Sequence, residues 1–152
     1  MCGIAGWVDT RRYLKDQGKV VARDDKGLYL SEHALLGHRR LTVVGPEGGA
    51  QPMTRIHLGR DYTIVYNGEL YNTEEIRKLL KEAGYRFQGY SDTEVLLLSF
   101  IFWGVDCLKY LNGIFAFALW DQEERKLFMA RDPLGVKPLF FTPPGKFPAL
   151  CF

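Results

Sequence analysis

At 152 residues, 47% hydrophobic and 14% aromatic, the chain has the length of one domain and ample material for a buried core. Twenty basic against eighteen acidic residues leave a net charge of only +2, with no Lys/Arg run or basic stripe interleaved with aromatics, which argues against a nucleic-acid partner. The first residues lack the basic start and apolar stretch of a secretory signal, and no segment reaches the roughly 18 consecutive apolar residues of a membrane span, so a cytoplasmic protein without a membrane partner is expected.

The chain opens MCGIAG. Trimming of Met1, common before a small residue, would leave Cys2 with a free α-amino group beside its thiol. An amine of pKa about 7.7–8.0 can accept a proton from a thiol near 8.5, which would place nucleophile and base in one residue. Position alone favours the blander reading, a cysteine packing as a small hydrophobe. Cys2, Cys107 and Cys151 are odd in number and have no metal-ligand spacing, so neither a disulfide framework nor a zinc site is indicated.

Strands are predicted at Ile4–Val8, Gly27–Leu30 and Ala34–Arg40, the last within LLGHRRLTVV. Arg40 at its end could grip a carboxylate with two prongs, with Arg39 facing the opposite way. A further strand, Tyr62–Tyr66, leads into YNGELYN. There Asn67 offers a side-chain NH₂ and Gly68 a backbone N–H that an oxyanion can approach closely, although Asn-Gly between apolar segments is more often a hairpin turn. His33, His38 and His57 are scattered, without an obvious acid partner.

In NTEEIRKLLKEAG, Asn72 can cap a helix whose apolar stripe is Ile76, Leu79, Leu80 and Ala83, with Gly84 as its left-handed stop. In SDTEVLLLSFIFWG, Ser91 and Glu94 form a capping box and Gly104 ends a helix apolar nearly all round, as expected of one buried between layers. Asp92 in its first turn is a candidate for an ammonium group, or a simple complement to the helix dipole. IFAFALW and KLFMA, Ile114–Trp120 and Lys126–Ala130, read as a hairpin joined by DQEER. ARDPLGVKPLFF reads as a turn before a strand at Leu139–Phe141, with Arg131, Asp132 and Lys137 bracing loops through buried pairs. Antiparallel strands covered by at least two helices indicate an α+β domain.

Taken in order, MCGIAG, HRRLTVV with GGAQPM, YNGELYN, GYSDTEVLL, LNGIFAFALWD and ARDPLGVKPLFF resemble the class II glutamine amidotransferase domain of the glutamine-hydrolysing asparagine synthetase family. This is the N-terminal-nucleophile type. The resemblance implies a four-layer αββα sandwich over residues 1–152, with the synthetase (ATP-pyrophosphatase) domain absent. It implies Cys2 as nucleophile with its own amine as base, and Asn67 with Gly68 as the oxyanion hole. Arg40 would bind the substrate carboxylate, with Leu41 and Val43 as further substrate-binding residues, and Asp92, helped by Glu69, would bind the amino group.

The implied reaction is hydrolysis of L-glutamine to L-glutamate and ammonia through a γ-glutamyl thioester. It needs no metal or organic cofactor; ATP and magnesium belong to the synthetase domain. Expected partners are L-glutamine, a synthetase domain or subunit that receives ammonia, and a second copy of the chain if it forms a homodimer. VVARDDKGLYL follows the first strand sooner than in family members, with only Arg23, Asp24 and Asp25 matching the usual Arg-Gly-Pro-Asp segment, so either a loop and helix there are short or residues are missing from this stretch. Two other readings compete: a non-catalytic interaction domain of the same fold, and an amidotransferase serving a different acceptor.

Overall fold

The computed structural model describes residues 3–9, 14, 27–39 and 49–141. Cys2, Arg40, Leu41 and Val43, and residues 20–26 before Gly27, lie outside them. Three strands, β1 (Gly3–Val8), β2 (Gly27–Leu30) and β3 (Ala34–Arg39), form one antiparallel sheet in the order β1-β3-β2. Four more, β4 (Met53–His57), β5 (Arg60–Leu70), β6 (Gly113–Asp121) and β7 (Lys126–Arg131), form a second in simple meander order. Helices α1 (Thr73–Glu82) and α2 (Asp92–Trp103) lie between β5 and β6 in sequence, and a short 3₁₀ stretch, Gly104–Lys109, follows α2.

The alternation of side chains along a strand decides the layering. On β6, Phe115, Phe117 and Leu119 pack with Tyr62, Ile64 and Tyr66 of β5 against Leu96 and Leu97 of α2. The intervening residues Ala116, Ala118 and Trp120 pack with Val65 against Ile4, Ala34 and Leu36 of the smaller sheet. Among the described residues, helix, sheet and sheet are thus three layers of the expected αββα sandwich, with α1 resting on α2 through Ile76, Leu80, Val95 and Leu98. The all-apolar character of α2 follows from this position between the sheet and α1. The stripe on α1 is narrower than its sequence suggests: Ile76 and Leu80 are buried, whereas Leu79 and Ala83 face water because α1 has only α2 to cover.

Other expectations change in detail. β5 runs from Arg60 to Leu70, so Asn67 and Gly68 lie inside a strand and not in a hairpin turn. A ladder of nine residue pairs with β6, Tyr62↔Asp121 to Leu70↔Gly113, overrides the local turn preference of Asn-Gly. The true hairpin, at Leu58 (φ 50°) and Gly59 (φ 77°), precedes β5 and joins it to β4, a strand with one buried residue, Met53, and hence almost no apolar signal. Leu139–Phe141 forms no strand, and Phe140 and Phe141 are exposed. Asn72 occupies the N-cap of α1 without capping it; its amide donates to Tyr110 O (2.8 Å) and accepts from Asn112 N–H (3.1 Å), tying α1 to the entry of β6.

Among the described residues, ARDPLGVKPLFF is braced through Asp132 and backbone bonds and not by ion pairs of Arg131 or Lys137. The buried Asp132 carboxylate accepts from the N–H groups of Phe115 (3.2 Å), Val136 (2.9 Å) and Lys137 (3.1 Å). Burial disfavours the charge, but these backbone donors outweigh it and hold the Asp132 carboxyl below its ordinary range.

Candidate active site

A cleft of about 500 Å³ opens at the ends of both sheets and the start of α2, and Asn67, Gly68 and Asp92 all line it. His38 of β3 lines it as well. Glu69 is exposed at the end of β5 and is not among the lining residues. His38 pairs with Ile4 on one side and Gly27 on the other, so the start of β1 reaches the same end of the molecule. Gly3, which follows Cys2 in the chain, is paired with Arg39, which precedes Arg40.

The phase of the β5 ladder determines where Gly68 directs its N–H. Backbone bonds from Gln122 N–H to Asp61 O (3.0 Å) and from Tyr71 N–H to Asn112 O (2.8 Å) continue the β5–β6 pairing at its two ends. Odd-numbered residues of β5 therefore exchange bonds with β6, and even-numbered residues point their N–H groups the other way. That other side belongs to β4 only as far as Met53, opposite Ile64. At the next even position, Tyr66, the N–H is taken by the side-chain oxygen of Gln51 (2.6 Å). At Gly68, β4 has ended and the N–H is directed to the cleft side of the sheet.

Gln51 is absent from the sequence-predicted site, yet it joins three segments. In the register of β4 it would sit opposite Tyr66, but the chain turns at the cis Gln51–Pro52 bond and the side chain substitutes for the strand. Its amide nitrogen donates to Thr93 Oγ1 (3.2 Å) at the start of α2. Tyr66 also crosses to α2, donating its hydroxyl to Asp92 Oδ2 (2.9 Å). Burial first, and the Asp92 charge second, push the Tyr66 phenol far above its ordinary range, so it remains a donor. Gln51 and Tyr66 stand within GGAQPM and YNGELYN, but nothing in those stretches indicates the partners of either, which the sheet register reveals.

Half of the predicted capping box is present: Ser91 Oγ accepts from Glu94 N–H (3.3 Å). Glu94 does not reach back to Ser91. Its fully buried carboxylate accepts from Arg55 (2.8 Å) of β4 and from the N–H groups of Gln88 (2.7 Å) and Gly89 (2.8 Å), anchoring the loop before α2. Burial opposes the charge, but the Gln88 N–H, Arg55 and the Gly89 N–H together lower its pKa. Glu94→Ala is expected to cost about 3 kcal/mol, the lower end for breaking a buried pair because Arg55 keeps some contact with water; urea denaturation measures it. Because Glu94 and Asp132 titrate below their ordinary values, their contribution is complete above the ordinary carboxylate range and is lost progressively as pH falls from there through the lowered folded values. Glu94→Gln should flatten that acid limb.

A larger cleft, about 670 Å³, lies at the C-terminal end of α1 and contains none of the predicted residues. There Arg77 donates to Gly89 O (2.9 Å) and lies over the Phe87 ring (4.2 Å), clamping the loop that leads to α2. Cys107 is buried, and desolvation pushes its thiol up to about 12, which suits packing and not nucleophilic attack. No helix among the described residues is long and apolar enough to cross a membrane.

Two antiparallel sheets, with helices covering one of them among the described residues, are consistent with the expected αββα sandwich. The chain resembles glutamine phosphoribosylpyrophosphate amidotransferase from Bacillus subtilis, with a TM-score of 0.65 and 27% identity over 80% of this chain and 28% of that one. The structure of the allosteric regulatory enzyme of purine biosynthesis shares the fold, with a TM-score of 0.68 and 23% identity over 97% of this chain and 35% of that one. The chain belongs to the glutamine amidotransferase domain family, whose model matches residues 1–149.

Among curated relatives, it is 51% identical over 95% of its length to asparagine synthetase [glutamine-hydrolyzing] 3 of Bacillus subtilis, covering 25% of that protein. It is 38% identical over 77% of its length to asparagine synthetase B [glutamine-hydrolyzing] of Escherichia coli, covering 21%. The chain therefore spans about a quarter of the length of these relatives.

Proposed function

We propose that this chain hydrolyses L-glutamine and supplies the ammonia to a synthetase domain or subunit of the asparagine synthetase type. The observation that carries the proposal is the strand edge at Asn67 and Gly68, which lines the cleft with an N–H directed past the end of β4, while Asp92 lines the same cleft from α2. In the opposite sheet Gly3, the residue after Cys2, pairs with Arg39, the residue before Arg40, which supports the reading. The substrate's amide carbonyl would then be held between a nucleophile from one sheet and oxyanion donors from the other.

In this mechanism the α-amino group of Cys2 takes the thiol proton and the sulfur attacks the glutamine side-chain carbonyl carbon. The oxygen becomes an oxyanion bound by the Asn67 amide and the Gly68 N–H. Collapse breaks the C–N bond, the ammonium of Cys2 returns its proton to the leaving nitrogen, and ammonia departs. Water then attacks the thioester and releases L-glutamate and the thiol. Arg40 and Asp92 hold the carboxylate and ammonium ends; Leu41 and Val43 complete the pocket.

Intact mass measured before and after incubation with 6-diazo-5-oxo-norleucine, followed by peptide mapping, tests the reading. Expected are loss of Met1 and a single label on Cys2 that excess L-glutamine prevents. Retained Met1, or no label on a processed chain, would favour a non-catalytic domain of this fold.

A further inference from the structure

We propose that Tyr66 is a positioning residue that orients Asp92 toward the substrate's α-ammonium group and thereby sets the preference for an amide that carries an α-amine. The inference rests on glutamine hydrolysis at this cleft. Asp92 stands at the first position of α2, where its carboxylate torsion is intrinsically broad. Two donors from different elements hold it: Thr93 N–H on Oδ1 (2.9 Å) and the Tyr66 hydroxyl on Oδ2 (2.9 Å). Each carboxylate oxygen can accept a second bond. With one donor on each, the carboxylate is held between β5 and α2 with acceptor capacity left for a cation in the cleft that Tyr66 and Asp92 both line.

The tyrosine is itself held. It is 3% exposed, its ring packs in the core between β5 and α2, and its N–H is bonded to Gln51, whose amide also reaches Thr93. Gln51, Tyr66, Asp92 and Thr93 thus close a ring of hydrogen bonds across three segments. A helix start requires none of this, because Ser91 already caps α2.

The test compares wild type, Tyr66→Phe, Asp92→Asn and the double variant, using KM and kcat for L-glutamine and Ki for glutaramate, which keeps the carboxylate and amide but has no α-amine. Tyr66→Phe should raise KM for L-glutamine roughly tenfold or more, the range for losing a hydrogen bond to a charged group, with a much smaller change in kcat. The Ki of glutaramate should move far less, so the preference for the α-amine falls. In the Asp92→Asn background the Tyr66→Phe change should add almost nothing. Equal weakening of both ligands, or additive losses in the double variant, would overturn the positioning role and leave Tyr66 as a core residue. A processed wild type that does not hydrolyse L-glutamine would instead overturn the glutaminase reading on which the role rests. Urea midpoints of all four proteins keep misfolding apart from either result.

Discussion

Replacing Cys2 with alanine is expected to abolish glutamine hydrolysis while leaving urea denaturation unchanged. Loss of a covalent nucleophile lowers kcat by on the order of 10⁶ in serine hydrolases, because the reaction loses its intermediate and not merely a favourable contact. The remaining cleft residues should still bind L-glutamine, so calorimetry on the alanine variant would report an affinity without turnover. No other described cysteine can substitute: Cys107 is buried and its thiol is pushed up to about 12. Wild-type turnover in Cys2→Ala would end the assignment.

The second large effect concerns adjacent residues of β5 that should fail in different ways. Asn67→Ala is expected to lower kcat by about 10²- to 10³-fold with little change in KM, as for removal of one oxyanion donor. Asn67 is half-buried at the cleft, so its loss should cost stability less than a core truncation would. Gly68→Ala should damage stability and activity together. A Cβ at Gly68 would lie 2.3 Å from the backbone oxygen of Ile114 and 2.7 Å from Phe115 Cα, so β5 and β6 must move apart. Overpacking against backbone costs about 1–3 kcal/mol. Steady-state kinetics beside urea midpoints separates the two cases. An unchanged kcat in Asn67→Ala would remove it from the oxyanion hole, and an unchanged midpoint in Gly68→Ala would mean that the strands yield freely.

The absence of a side chain at Gly68 therefore has a different cause from the one its sequence context suggests. The proposed oxyanion role would require only an accessible N–H; the close approach of β6 explains why the residue is glycine. Much of the fold was legible because its signals are periodic. Phe115, Phe117 and Leu119 alternate with Ala116 and Ala118, and both helices carry end signals, Gly84 (φ 91°) and Gly104 (φ 60°), that fall where expected. β4 was not legible, since an edge strand reading Met-Thr-Arg-Ile-His buries one side chain and has no periodic signature.

The same division holds in the cleft. Asn67, Gly68 and Asp92 stand in short motifs that the structure brings together. Gln51, Tyr66 and Glu94 each depend on a partner that lies 15, 26 and 39 residues away in the chain, respectively. Composition and spacing cannot reveal a partner at that separation, because pairing register and helix placement decide which side chains meet. Glu94 is instructive: a glutamate three residues after a serine reads as a local cap, and in the folded protein its carboxylate serves the preceding loop and a distant arginine.

The substitution of the Gln51 side chain for a missing ladder partner bears on how such a chain can vary through evolution. Among the described residues the last bond on that edge of β5 comes from a side chain and not from continued strand, so the register of β4 on β5 does not depend on the length of chain before Gln51. Insertions or deletions there need not slip β4 against β5 or displace Asp92. The two-residue step from Gln51 to Met53 has no such freedom, because one added residue would carry the amide away from both Tyr66 and Thr93. Length variation among homologous domains is thus expected to accumulate before this glutamine and to stop at it.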